Sequence, residues 1–251
     1  MISLAARRHP GLAMRPALFL FALLMPLLLL VGCRQQGEWF QLEGVALGTG
    51  YHITLNGDLG EGESALVEAA IQGELASLDS EMALLEALMT LSRPPLAGGH
   101  PPGTIAETLR EYLQVLAVDR LFRVLDEFGI ANALVEIGGV QRASGMAGRH
   151  PWRVGLPRSG ADEAAELSLR LQDAALVHRA APDSGIEAMP ARRVLAVSAV
   201  APSAEAAQRL ARELLVAAPD DTLEHPARLV VLTPQGIDIY TGSALEPLLE
   251  Q

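Results

Sequence analysis

Cys33 is the only cysteine in the 251 residues, so the chain can close no disulfide within itself. Whatever it folds into must be held by apolar burial and hydrogen bonds. Half of the residues are apolar, and a domain of roughly 200 residues with that composition buries a sizeable core without covalent staples. The position of the cysteine is informative as well. It closes an apolar run, Ala17 to Val31, that follows Arg7, Arg8 and Arg15. The run is too short, and at Pro26 too interrupted, for a comfortable bilayer span. A basic stretch followed by such a run has the layout of a cleaved export signal.

Charge narrows the partners. All 19 basic residues are arginines and three lie in the leader, so the mature part sets 16 arginines against 30 acids, a net charge of −14. Nucleic acid, which needs a basic footprint, is excluded as a partner, and so is a polybasic hold on anionic lipid.

The leader ends in Leu30-Val31-Gly32-Cys33, which resembles the lipobox of bacterial lipoproteins. The resemblance implies removal of residues 1–32, a diacylglyceryl group on Cys33 and a tether over 33–39. Several acyl chains at about 0.8 kcal/mol per CH₂ make such an anchor effectively permanent. The membrane is then a partner through Cys33, and the protein faces the periplasm or exterior of a bacterial envelope. Arg34 in place of an acid resembles the pattern that sends such proteins to the outer membrane.

In the mature chain, Phe40 to Leu55 alternates around Gly44, Gly48 and Gly50 and reads as a strand pair or a bulged strand. Leu66, Ala70, Ile71, Leu75, Leu78, Met82 and Leu85 recur at helical spacing within Ser64 to Thr90. Ser92 to Gly103, rich in Pro and Gly, reads as a linker. Thr104 to Phe128 returns to helix, with Val115, Val118, Phe122 and Leu125 inward and Gly129 as its stop. Ala131 to Ile137, Pro151 to Leu156, Leu167 to Leu171 and Arg193 to Val200 read as strands. Ser203 can cap a helix through Leu215 whose inner stripe is Ala207, Leu210, Ala211 and Leu214, and Arg228–Thr233 with Gly236–Tyr240 suggests a hairpin. The class is α+β, one mixed domain over residues 40–251.

Familiar catalytic signatures are missing. The six histidines are scattered and Cys33 is committed, so no metal site follows from spacing. With no lysine there is no Walker loop, and there is no G-x-S-x-G elbow. Gly48-Thr49-Gly50 lacks the third glycine of a dinucleotide fingerprint and reads as a turn or bulge.

Six stretches in order resemble the FAD:protein FMN transferase family, the ApbE-type lipoproteins that move FMN from FAD to a protein Thr or Ser. They are Gly44–Tyr51 (family G-x-T-M-G-T-x-Y), Leu75–Met82 (L-x-x-L-D-S-x-M), Ala117–Arg120 (A-V-D-R), Leu134–Gly139 with Arg142–Gly145, Pro151–Gly155 (P-W-R-I-G), and Val197–Pro202 with the helix to Val216. The resemblance implies a shortened member of that fold, FAD and Mg²⁺ as cofactors, and an envelope flavoprotein as target. It also places Leu47, Asp119, Glu136, Gly138, Gly139 and His178 at flavin-contacting positions.

Departures fall on the chemistry. The family's side-chain metal ligands, an Asp and a Thr one turn later, are Gln208 and Arg212 here. Gln offers one neutral oxygen, and Arg has no acceptor and a fixed charge that repels Mg²⁺. The family's D-L-S-x-I-A-K-G run falls on Thr108–Val115 without its polar signature, Val140 replaces an acid, and Ser92–Gly103 stands where the family builds much of its FAD pocket. His178–Gly185 matches H-I-x-D-P-x-T-G with the aspartate replaced by Ala181. These departures predict an impaired or inactive transferase; the alternative is a non-catalytic lipoprotein that holds a partner in the envelope. Read by residue type alone, Leu47 suits a core, Gly138 and Gly139 end a strand, and Glu136 is a satisfied or edge carboxylate. In the same way Gln208 and Arg212 belong to a solvated helix face on which Arg209 pairs with Glu205 and Glu213.

Overall fold

The computed structural model describes residues 37–60, 62–91, 102–156, 167–181, 192–217 and 223–250. The leader, Cys33, residues 92–101 of the expected linker and the Pro182–Gly185 end of the His178 run lie outside them. A β-hairpin opens the described chain, β1 (Glu38–Ala46) and β2 (Thr49–Gly57), followed by helices α1 (Glu63–Leu91) and α2 (Pro102–Glu127). Strands β3 (Ala133–Ile137), β4 (Val140–Ser144), β5 (Trp152–Gly155), β6 (Ser168–Leu171), β7 (Ala174–Ala180) and β8 (Arg193–Ala201) come next. Helix α3 (Ala204–Val216), strands β9 (Ala227–Thr233) and β10 (Gly236–Thr241), and the short β11 (Leu249–Glu250) complete the order.

Eight strands form one antiparallel sheet in the order β1-β2-β3-β4-β7-β8-β9-β10, and β11-β6-β5 form a second. Strand alternation sorts the large sheet into two faces. Ala133, Val135 and Ile137 of β3, with Ala175 and Val177 of β7, join the core that holds the three helices. Leu176 of β7 and Val200 of β8 instead meet Trp152, Val154, Leu156, Leu169 and Leu171 of the small sheet. The α+β class and single mixed domain of the sequence reading are what the described chain shows.

The periodic segments fold as read, with small displacements. Helix α1 buries Val67, Ile71, Leu75, Leu78 and Met82. Leu66 is exposed because it lies one residue, about 100°, off that stripe. Val115, Val118, Phe122 and Leu125 are all buried on α2, and Gly129 follows at φ +68, a conformation suited to ending a helix. Pro102 and Gly103, read as linker, are the first residues of α2, where proline's missing N–H has no helical partner to lose. Glu38 and Trp39, read as tether, pair with Gly57 and Asn56 as part of β1. Strands β4 and β7 escaped the reading because Val-Gln-Arg-Ala-Ser and Ala-Ala-Leu-Val-His-Arg-Ala lack clean two-residue alternation.

Candidate functional site

Two tight turns shape one end of the large sheet. Ala46 pairs with Thr49 and Ile137 with Val140, leaving Leu47-Gly48 and Gly138-Gly139 as two-residue hairpin loops. All four residues have positive φ (52, 72, 54 and 79°), the geometry whose twist matches flanking antiparallel strands. Because Tyr51 lies opposite Ile137, both loops sit at the same end. Glycine is required at 138, where a Cβ would land inside the Gln114 side chain. Leucine at 47 carries left-handed strain of about 1–2 kcal/mol. Its N–H donates to the Asp79 carboxylate at 2.7 Å and its side chain is only 1% exposed. Leu47 is therefore a core residue held by α1, which also gives the L-x-x-L-D-S-x-M resemblance a structural purpose.

Arginines from this chain cover both loops. The Arg110 Nε would be 3.1 Å from a Cβ on Gly48, and its guanidinium pairs with Glu86 at 3.2 Å. Arg179 Nη1 would lie 4.0 Å from a Cβ on Gly139. Arg179 follows Ala175 and Val177 at alternate positions of β7, so it enters the helix side of the sheet at a place where apolar residues precede it. Its side chain is 5% exposed. One N–H donates to the His178 carbonyl at 2.8 Å and another to the Glu111 carbonyl at 3.5 Å. Nε makes no hydrogen bond and stands 3.5 Å from the half-exposed Glu111 carboxylate. Burial, seconded by the charge of Arg212 and opposed by Glu111, lowers the Arg179 pKa. The sequence gives Arg179 no visible role, because the alternation that would place it inward on β7 is not evident in Ala-Ala-Leu-Val-His-Arg-Ala.

Helix α3 packs on β7, β8 and α2, and this wide contact corrects the expectation for its polar residues. Gln208 is 4% exposed rather than solvated. It shares the buried face with Ala204, Ala207, Ala211 and Leu214, and neither of its amide atoms has a partner. Arg212, one turn on, is exposed, and Arg209 pairs with Glu205, one of its two expected partners, at 3.7 Å.

The remaining candidates are dispersed. Asp119 accepts from Arg142 at 2.6 Å and from the backbone N–H groups of Ala204 and Glu205 at 3.1 and 3.0 Å. It thus anchors the N-terminus of α3 beside Ser203, whose hydroxyl accepts from the Ala206 N–H at 3.2 Å. An open groove of about 300 Å³ runs past this pair, lined by Phe122, Arg123, Asp126 and Ser144 among others. His178 alternates with Arg179 and so faces away from the helices, its Nδ1 3.0 Å from the Ser198 hydroxyl. Burial, then the charges of Arg179 and Arg228, lower its pKa. Half-buried Glu136 is on that face too, across from His52 and Gln141. Of the six flavin-contact candidates, then, Leu47, Gly138 and Gly139 share one sheet end, Glu136 and His178 lie on the opposite face, and Asp119 is part of a helix cap.

The Mg²⁺ implied by the resemblance does not fit these residues. Gln208 could offer one neutral oxygen and Arg212 none, and the fixed positive charge at 212 repels a hard cation that wants oxygen ligands. Among the described residues no group of three or more His, Cys, Asp and Glu could hold a metal ion.

Comparison with known proteins agrees with the fold and the motifs. Residues 112–180 match the sequence model of the ApbE family, a segment that runs from α2 through the Gly138-Gly139 loop to Arg179. No curated protein matches. The flavin transferase ApbE from Vibrio cholerae is structurally similar with a TM-score of 0.61 at 18% identity, over 84% of this chain and 99% of that one. For the apo flavinyl transferase ApbE of Pseudomonas stutzeri the figures are 0.61, 17%, 86% and 98%. The ApbE protein from Thermotoga maritima gives 0.59, 16%, 85% and 100%. The chain thus matches the ApbE sequence model over residues 112–180 and shares the fold of the ApbE structures over most of its length.

Proposed function

We propose that this chain is a lipid-anchored relative of the flavin transferases that does not carry out Mg²⁺-dependent FMN transfer in the family's manner. One observation carries the reading: the two positions where the family resemblance puts metal ligands hold a buried amide, Gln208, and an arginine, Arg212. Loss of the metal would remove the Lewis acid that neutralises a transferring phosphoryl group and its leaving group. Nothing in the donor set of Arg179, Gln208 and Arg212 supplies a general base for a target hydroxyl, because guanidinium has no acceptor and stays protonated.

The test uses the full chain in detergent with FAD, Mg²⁺ and a flavoprotein acceptor bearing a Thr or Ser target. AMP release and covalent flavin fluorescence are followed together. Neither is expected, and Mg²⁺-dependent appearance of both would overturn the reading. Restoring Gln208→Asp with Arg212→Thr is expected to leave the chain inactive, since Arg179 still fills the sheet end. The envelope assignment rests on the lipobox resemblance at Cys33. Cys33→Ser should abolish incorporation of labelled fatty acid and release the protein from the membrane fraction; retention of both label and membrane would remove the anchor from the proposal.

A further inference from the structure

The end of the large sheet opposite the Leu47-Gly48 and Gly138-Gly139 loops gathers segments that are far apart in sequence. Asn56, across from Trp39, donates its side-chain N–H to the Gly37 carbonyl at 3.0 Å and its backbone N–H to the Asn132 carbonyl at 3.0 Å. The Asn132 side chain accepts from the Met146 N–H at 2.9 Å. Met146 leads into a tight turn in which Ala147 and His150 exchange backbone bonds around Gly148 and Arg149, and a Cβ on Gly148 would stand 3.9 Å from the Trp39 ring. Trp39 and Trp152 meet edge to face with ring centroids 5.9 Å apart. They differ in exposure, 3% for Trp152 against 53% for Trp39. Phe128, four residues before Asn132 and just past the end of α2, is a second half-exposed aromatic ring at this end.

Single exposed aromatics are ordinary on a protein surface, but the place of these two relative to the anchor gives them a partner. Only four residues of chain lead from Cys33 to Gly37, a reach of at most about 14 Å when fully extended. Strand β1, nine residues long, by itself spans about 30 Å. Acyl chains on Cys33 therefore hold the Gly37 end of the sheet close to the headgroups, and Trp39 is two residues further on. We propose that Trp39 and Phe128 dock this end of the domain onto the headgroup layer of the membrane that holds the anchor. The proposal rests on the lipid at Cys33 and turns a point attachment into a face. An indole ring with its one N–H suits the boundary between acyl chains and headgroups. Arg149 at the tip of the turn is offset by Glu38 and Asp58, all three exposed, so the face has no basic excess and meets zwitterionic lipid by aromatic contact rather than by attraction to anionic charge. Two rings bind weakly alone, and the anchor supplies the effective concentration that makes their contact persist. The opposite sheet end, with Leu47-Gly48 and Gly138-Gly139, is then turned away from the membrane toward the aqueous side.

The full lipidated chain, reconstituted in phosphatidylcholine vesicles with or without bromine on the acyl chains near the headgroup, tests the docking face by tryptophan emission. Trp39 and Trp152 are the only tryptophans. Bromolipid is expected to remove roughly half of the emission, the share of one interfacial indole of the two. Trp39→Phe, at a half-exposed position, should abolish the quench, and Phe128→Trp placed in that variant should restore it. A protein that floats with the vesicles but emits equally in both lipids overturns the docking face and leaves the anchor standing. If acrylamide in the water also fails to quench Trp39, a second copy of the chain covers the face instead. A quench that survives Trp39→Phe undiminished overturns the face as well. A chain that carries no fatty acid and does not float with the vesicles removes the anchor and the docking face together.

Discussion

Two polar clusters meet helix α3, and they are built to opposite standards. At its N-terminus, Asp119 receives the Arg142 guanidinium and two backbone N–H groups, and Arg142 also stacks over the Phe122 ring at 4.5 Å. Every strong group there has a partner. Further along the helix, Gln208 has none, and Arg179 on the neighbouring strand leaves its Nε without a hydrogen bond, held only by the half-exposed Glu111 carboxylate at 3.5 Å. The first cluster is a structural joint that keeps α3 seated on the sheet. The second carries an unresolved electrostatic cost, which a fold tolerates chiefly where a ligand or partner relieves it.

Breaking the joint should have the largest effect. Asp119→Ala removes a largely buried ion pair and two charge-assisted caps, and is expected to cost about 2–4 kcal/mol in urea unfolding. Asp119→Asn, which keeps an acceptor for the helix, should recover part of that loss. A cost under 0.5 kcal/mol, the ordinary range of a surface change, would show that the cluster is not a joint. Next comes the loop beside the second cluster. Gly138→Ala should cost about 2–3 kcal/mol, since it adds left-handed strain and displaces Gln114. Gly139→Ala, whose Cβ would meet nothing closer than 3.7 Å, should cost only the strain, about 1 kcal/mol. Equal losses would mean that Gln114 moves freely.

The joint was half legible in the sequence and the second cluster was not. Asp119 stood out in the A-V-D-R run, yet its work as a cap depends on α3 starting beside it, a contact 85 residues away in sequence. Helical and strand periods gave α1, α2, α3 and the hairpins because those elements bury a single regular stripe. β4 and β7 were hidden because they are central strands with polar residues on both faces. Gln208 was misread as solvated for a related reason. The helical stripe around Ala207 and Ala211 has the right period, but its width is set by α2 packing on a second side, which periodicity does not report.

Gln208→Leu sharpens the comparison in the other direction. Replacing a buried amide without partners by an apolar side chain of similar volume should stabilise the ligand-free protein by about 1 kcal/mol. An unchanged or lowered midpoint would mean that the amide is satisfied in solution, and the contrast between the clusters would fall.

The smallest effect belongs to His178, on the opposite face of the strand that carries Arg179. Its folded pKa lies below the ordinary 6.5 because burial and the charges of Arg179 and Arg228 disfavour the imidazolium. The unfolded chain therefore binds the proton more readily, and stability rises with pH through this window. It is full above 6.5 and declines as pH falls from there toward the folded value. His178→Gln, which keeps a polar partner for Ser198, should lose less stability than wild type between pH 7.5 and pH 5.5, measured as the shift in urea midpoint. Most carboxylates have yet to titrate there, and His52, His150 and His225 are exposed. An identical pH slope in the two proteins would show that His178 is solvated and that the charge of Arg179 is not felt across the sheet.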